Sequence, residues 1–143
     1  MPGGPDRYDE LYVYAMGRDP TSFILQHVVD AHAAQTATRQ TKPPTLVFAL
    51  AGLYLHVERG LSGKQVQRIH MRMGRRKTQW PALVLPRDRG AISPADVLAA
   101  PAGGDRDRAI DSWCRSVWDA FRENRETIVE VLKNTASCNE PLT

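Results

Sequence analysis

Apolar residues recur every three to four positions along most of the chain, and the alternation typical of a half-buried strand is almost absent. Glycine and proline divide this pattern into segments. The spacing and its punctuation predict helices over 6–16, 23–36, 45–59, 63–77, 94–100 and 106–133, the last as one long helix, with an extended connection over 81–90. The chain is therefore predicted to be all-α, a bundle of four main helices plus a long C-terminal helix or short accessory helix.

The third predicted helix, 45–59, is apolar almost all round, which is typical of the most buried element of a bundle. The fourth, 63–77, is instead strongly amphipathic, with Val66, Ile69 and Met73 on one side and lysines and arginines on the other. We expect the other helices to pack around the third. Residues 1–143 are predicted to form one domain, with 1–5 and 135–143 as flexible termini.

The composition favours a soluble globular protein, because 42% of the 143 residues are hydrophobic and 24% are charged. The two cysteines, Cys114 and Cys138, form no Cys-x-x-Cys pair, which argues against a disulfide framework and against a cysteine zinc site. The apolar runs are shorter than a membrane span, and the N-terminus lacks the pattern of a secretory signal. We expect a cytoplasmic protein without a membrane partner.

Three of the four histidines lie on the inward sides of three successive predicted helices: His27, His56 and His70. Helical bundles assemble metal sites in this way, from facing side chains on different helices. Neutral imidazoles are ligands for Zn²⁺, Ni²⁺, Fe²⁺ or Mn²⁺, and three of them leave a coordination position open. The pattern therefore predicts a divalent-metal site, with His32 excluded because it lies at the edge of its helix face.

Asp30 follows His27 by one helical turn and is the candidate catalytic residue. It would act as a general base, as a fourth ligand, or as the partner that orients an imidazole. Gln35 and Tyr54 are candidates for binding a small-molecule substrate. The alternative is a buried polar cluster in which these side chains satisfy one another by hydrogen bonds. The sequence has neither a Gly-x-Ser-x-Gly elbow nor a glycine-rich phosphate loop, so acyl transfer and nucleotide hydrolysis lack support.

Positive charge is concentrated between residues 59 and 89, where nine lysines and arginines accompany one aspartate, in a chain of net charge +3. Arg68, Arg72 and Arg76 repeat every four residues and are candidate anion-binding residues on the helix face 64–77. The partner would be nucleic acid, bound without sequence reading, or an acidic protein. Alternatively the face is merely solvated, or acidic residues of the first and last helices offset it within the bundle or across a homodimer.

Three stretches of sequence carry a family resemblance: 26–35, 52–60 and 65–70. The most specific is the helix with His27-x-x-Asp30-Ala31-x-x-x-Gln35. Together they resemble a bacterial family of domains of unknown function, over about residues 8–121, which implies no established activity. The architecture is more loosely similar to DinB-like helical bundles, and that similarity implies three histidines holding a divalent ion.

The sequence thus predicts a protein of uncharacterised function with a divalent-metal-binding, enzyme-like His/Asp site. The alternative is a binding module without enzymatic activity that uses the basic helix face.

Overall fold

The computed structural model describes residues 7–75 and 79–136. Its elements in chain order are α1 (Tyr8–Met16), α2 (Leu25–Gln35), α3 (Pro43–Val57), α4 (Gly63–Arg75), α5 (Pro94–Ala99), α6 (Gly104–Ala120), a 3₁₀ turn (Arg122–Asn124) and α7 (Arg125–Ala136). No strand occurs within the described residues, so the all-α prediction is confirmed. No helix in these two ranges is long and apolar enough to span a membrane.

Helix α3 is the centre of the bundle, as its sequence indicates. Pro43 and Pro44 occupy its first turn, where a missing backbone N–H costs no hydrogen bond. Every residue from Ala49 to Leu55 is buried, and α3 contacts α2, α4, α6 and α7. A helix that is apolar on all sides requires neighbours on all sides, and this packing provides them.

The prediction of one long helix over 106–133 is wrong, because the chain turns between Phe121 and Asn124. Phe121 is fully buried, and the buried Asn124 side chain accepts a hydrogen bond from the Val84 amide (2.7 Å). Its Nδ2 donates to the carbonyls of Val84 (2.9 Å) and Phe121 (3.3 Å). These bonds fasten the turn to the connection before α5. As a result α7 packs on α3 and α4, whereas α6 packs on α2, α3 and α5.

The connection over 79–92 has no regular secondary structure and is held in place by side chains. The Arg89 guanidinium donates to the carbonyls of Ala34, Gln35 and Ala37 and so satisfies the open C-terminal end of α2. The Gln35 side chain donates to the Ile92 carbonyl (2.7 Å). The connection is therefore pinned at the C-terminal end of α2.

We predict that Asn124→Ala lowers the free energy of unfolding by about 1–3 kcal/mol, because polar groups of a buried turn lose their partners. Chemical denaturation measures the change. The control is Glu123→Ala, an exposed neighbour in the same turn, which should stay within about 0.5 kcal/mol of the wild type. Equal losses in the two variants would contradict the role assigned to Asn124.

Candidate functional site

The N-terminal ends of α2 and α4 meet at a backbone contact that only glycine allows. The Gly63 amide donates to the Ser22 carbonyl (2.9 Å), and a Cβ at Gly63 would lie 1.8 Å from the Phe23 carbonyl oxygen. Phe23 has a φ of +53°, in the left-handed region that bulky residues rarely adopt. Strain of this kind is found most often beside binding sites.

Next to this contact lies an open pocket of about 300 Å³ that residues of α2, α3, α4 and α6 line, here called the histidine pocket. Its polar lining comes from histidine, serine, glutamine and aspartate side chains. The residues lining it are Ser22, Ile24, His27, His56, Gly60, Leu61, Ser62, Gln65 and Asp111.

His56 is held at both ring nitrogens. Its Nδ1 lies 3.1 Å from the Leu61 carbonyl oxygen, which accepts only, so Nδ1 carries a proton. Its Nε2 lies 2.9 Å from Asp111 Oδ1. The bond to His56 is the main reason that the pKa of Asp111 is below its ordinary value, so Asp111 is a carboxylate at neutral pH. Nε2 donates to this carboxylate whenever it carries a proton, so both ring nitrogens of His56 face oxygen acceptors.

His27 stacks face to face on His56, with ring centroids 3.5 Å apart and planes 17° from parallel. Burial, followed by the neighbouring His56, lowers the pKa of His27 to about 3, so the ring is neutral at pH 7. Its Nδ1 is buried and has no hydrogen-bond partner among the described residues. The buried Cys114 thiol donates to the His27 backbone carbonyl, and burial raises the pKa of that thiol, which keeps it uncharged.

A second polar group, here called the inner cluster, consists of Gln26, Asp30 and His70. The Gln26 amide nitrogen donates to Asp30 Oδ1 (3.1 Å) and faces His70 Nδ1 at 3.4 Å. His70 Nε2 donates to the Phe48 carbonyl (2.8 Å), which leaves the Nδ1 lone pair toward Gln26. Burial raises the pKa of Asp30 well above its ordinary value and lowers that of His70. Burial therefore favours the uncharged forms of both side chains.

Gly52 makes room for the inner cluster on α3. A Cβ at this position would lie 1.9 Å from Asp30 Oδ2 and 3.3 Å from His70 Nε2. Asp30 Oδ2 consequently lies against the backbone of α3, where it has no hydrogen-bond partner within the described ranges. This close approach brings α2 against α3.

The structure thus divides the predicted ligands between two groups. His27 and His56 meet in the histidine pocket, whereas His70 joins Asp30 in the inner cluster. Within residues 7–75 and 79–136, no three His, Cys, Asp or Glu side chains are arranged to hold a metal ion. The metal site therefore stays a prediction.

The predicted substrate-binding residues do not line the histidine pocket. Gln35 ties α2 to Ile92 and accepts a hydrogen bond from Trp113 Nε1 (3.0 Å). Tyr54 is buried, with its ring edge on Trp118 and the Arg125 guanidinium over its face. His32 is half-buried and stacks on Tyr8.

Sequence reasoning missed two residues that the structure brings in. Asp111 gave no signal of its own, because it follows Ile110 among other acidic residues of α6. Gln26 did offer one, since it precedes Asp30 by one helical turn, the spacing at which amide and carboxyl side chains meet.

The predicted anion-binding residues occupy α4 and the segment that follows. Arg68 is exposed, and Arg72 is half-buried and already engaged by the protein. Arg76, like Cys138, lies outside the described residues.

We predict that Gly52→Ala destabilises the protein by about 1–3 kcal/mol, because the new Cβ overlaps the buried Asp30 carboxyl. Combining it with Asp30→Ala removes the overlap, so the double variant should lose less than the sum of the single losses, by about 0.5–3 kcal/mol. Gly74→Ala on α4 is the control, since a Cβ there meets nothing within 4 Å, and it should be neutral or stabilising. Additive losses in the double variant would disprove the overlap.

The protonated state of Asp30 predicts a pH dependence. Because the pKa of Asp30 is raised in the folded protein, the unfolded chain releases this proton first. The contribution of Asp30 to stability therefore falls as the pH rises above about 4, by up to about 1.4 kcal/mol per pH unit until the folded pKa is reached. Asp30→Asn lacks this loss. The lowered pKa values of His27 and His70 act in the opposite direction, in the wild type and the variant alike. Urea denaturation between pH 4 and 7 should show the variant gaining stability relative to the wild type as the pH rises. A constant difference across that range would show that Asp30 is ionised in the folded protein.

Comparison with known proteins identifies a family whose function is unknown. No curated protein and no solved structure matches the chain. A model of the family of unknown function DUF5946 matches residues 5–122, which agrees with the resemblance found in the sequence, while the likeness to DinB-like bundles stays a prediction. The chain belongs to this family of unknown function, DUF5946.

Proposed function

We propose that the protein binds a divalent transition-metal cation in the histidine pocket, through His56, Asp111 and His27. The proposal keeps two of the histidines that the sequence singles out and replaces His70 by Asp111. The observation that carries it is the setting of His56, with one nitrogen bonded to a backbone carbonyl and the other facing a carboxylate.

The first step of the argument concerns Nδ1 of His56. Histidines that bind metals usually donate the proton of their second nitrogen to a carbonyl or carboxylate, which fixes the tautomer and aims the lone pair of the first. The Leu61 carbonyl has this role here, at 3.1 Å from Nδ1. This hydrogen bond leaves Nε2 of His56 as the nitrogen available to a cation.

The second step concerns the pair formed by Nε2 and Asp111. These atoms lie 2.9 Å apart, and both are electron-pair donors once the proton between them leaves. Neighbouring ligands of a cation with bonds of about 2.1 Å lie about 3.0 Å apart in an octahedron and about 3.4 Å apart in a tetrahedron, so the two atoms need to separate by about 0.5 Å at most. A divalent cation can therefore take the place of the shared proton.

The third ligand is His27, whose neutral ring borders the same pocket. The stacked ring must rotate to bring a nitrogen beside the other two donors. Nδ1 has no hydrogen bond to give up in that rotation. Metal binding would thus supply the partner that this buried nitrogen lacks.

The donor set indicates the class of metal. Two imidazole nitrogens and one carboxylate oxygen, without a thiolate, suit Zn²⁺, Ni²⁺, Fe²⁺ or Mn²⁺. Three protein ligands leave positions for a small molecule, which would meet the Ser22, Ser62 and Gln65 side of the pocket. A metal bound there would polarise such a molecule as a Lewis acid.

The test is Zn²⁺ binding by untagged protein, measured by calorimetry and by elemental analysis after dialysis. We expect one equivalent in the wild type. Asp111→Asn and His56→Ala should weaken binding more than about 100-fold, since even losing the residues that orient a ligand costs 10–100-fold. His70→Ala should bind like the wild type, because His70 belongs to the inner cluster.

Each other outcome overturns the proposal. Loss of binding in His70→Ala with retention in Asp111→Asn would restore the three-histidine site. Absence of binding in the folded wild type would leave His56 and Asp111 as a proton-sharing pair. Thermal melting of each variant shows whether a loss reflects unfolding.

A further inference from the structure

We infer that the exposed side of α4 docks on the phosphate backbone of a nucleic acid. This surface, here called the α4 basic face, consists of Lys64, Arg68 and Arg75, with Arg72 beside them. At 100° per residue the four side chains fall within about 80° of one another around the helix axis. Lys64, Arg68 and Arg75 are exposed, while Val66, Ile69 and Met73 are buried on the opposite side.

The charge of this face is not neutralised by the helix itself. The stretch Gly63–Arg75 contains no Asp or Glu. Lys64 extends over the Phe23 ring, with Nζ 4.8 Å from its centroid. In the described part of the chain, neither Arg68 nor Arg75 forms an ion pair.

In the described residues no carboxylate forms an ion pair with Lys64, Arg68 or Arg75, although α7, which carries Glu126 and Glu130, packs on α4. Five carboxylates pair with basic side chains that are not on α4: Glu10 with Arg7, Asp107 with Arg18, Asp105 with Arg108, Glu58 with Arg125, and Asp111 with His56. Asp96 closes the N-terminal cap of α5 through Ser93. The positive charge of α4 is therefore left for an external anion.

A phosphate backbone fits this face better than a membrane does. Helices that bind membrane surfaces insert an apolar face, but the apolar side of α4 is spent on the bundle, and Met71 is its one large exposed apolar side chain within Gly63–Arg75. Arginine predominates on the face, and its planar guanidinium binds phosphate oxygens in pairs.

The dimensions of the face also suit a repeating anion. Lys64 and Arg75 are separated by about 16 Å along the axis, and a nucleic acid strand presents a phosphate every 3.4 Å or so of its own axis. The sequence continues directly with Arg76 and Lys77. The amides that flank this face are Gln65, which lines the histidine pocket, and Gln67, and both are half-buried. Binding should therefore depend on the backbone and not on the base sequence.

The test is fluorescence anisotropy with a labelled single strand and a labelled duplex, in salt from about 50 to 200 mM. We expect binding that weakens steeply with salt, with a log–log slope of about −2 to −3 for three phosphate contacts. The double charge reversal Arg68→Glu/Arg75→Glu should weaken binding at least tenfold and leave the melting temperature nearly unchanged. The matched control Arg39→Glu/Arg122→Glu changes net charge equally at exposed positions outside α4 and should have a much smaller effect.

The remaining outcomes overturn the inference. Equal weakening by the two double variants would mean that net charge alone is responsible. Absence of binding at the lowest salt would exclude a nucleic acid as the partner. Binding to phosphatidylserine vesicles or to polyglutamate instead would assign the face to a membrane or to an acidic protein. Asp111→Asn should retain binding, so this test and the metal test fail independently.

Discussion

The arrangement of the polar residues depends on the close approach of α2 to α3 at Gly52. Because Gly52 has no side chain, the Asp30 carboxyl reaches the backbone of α3 and becomes buried there. Gln26 then bridges Asp30 to His70 and so draws in α4. His27 follows Gln26 on the same helix, and its ring comes to lie on His56. A larger residue at position 52 would push α2 and α3 apart. It would thereby disrupt the histidine pocket, which both helices line.

Burial gives the two aspartates of these groups opposite states. Asp30 has one amide donor in an apolar setting, where the cost of removing a charge from water exceeds what one hydrogen bond returns, so the neutral acid persists. Asp111 is half-exposed and bonds to an imidazole nitrogen, which favours its charged form. Only the second carboxyl is therefore both ionised and open to solvent. For this reason the proposed cation site is in the histidine pocket, whereas the inner cluster holds three helices together.

Much of this architecture can be predicted from the sequence, because hydrophobic periodicity reports the direction in which each side chain points. It identifies the helices, the central position of α3 and the inward direction of His27, His56 and His70. It carries no information on the height of one helix relative to another, so it cannot show that His70 meets Asp30 while His56 meets His27. Hydrophobic periodicity does not predict the break at Phe121 either. In the sequence Asn124 is an ordinary polar residue, and only the structure shows that it bonds to Val84, 40 residues away. Asp111 is missed for the same reason, as its partner lies 55 residues away.

Helix α4 connects these groups to the molecular surface, and one backbone contact fixes where it begins. The Gly63 amide against the Ser22 carbonyl fixes the start of α4 relative to α2. Since a helix is nearly rigid over three turns, the same contact determines where Gln65 enters the histidine pocket and where His70 meets Gln26. It also determines which side remains for the arginines, because Val66 and Ile69 must face the core. The strained Phe23 adjoins this contact, so the packing of α4 on α2 and α3 that the contact permits offsets the cost of its backbone conformation.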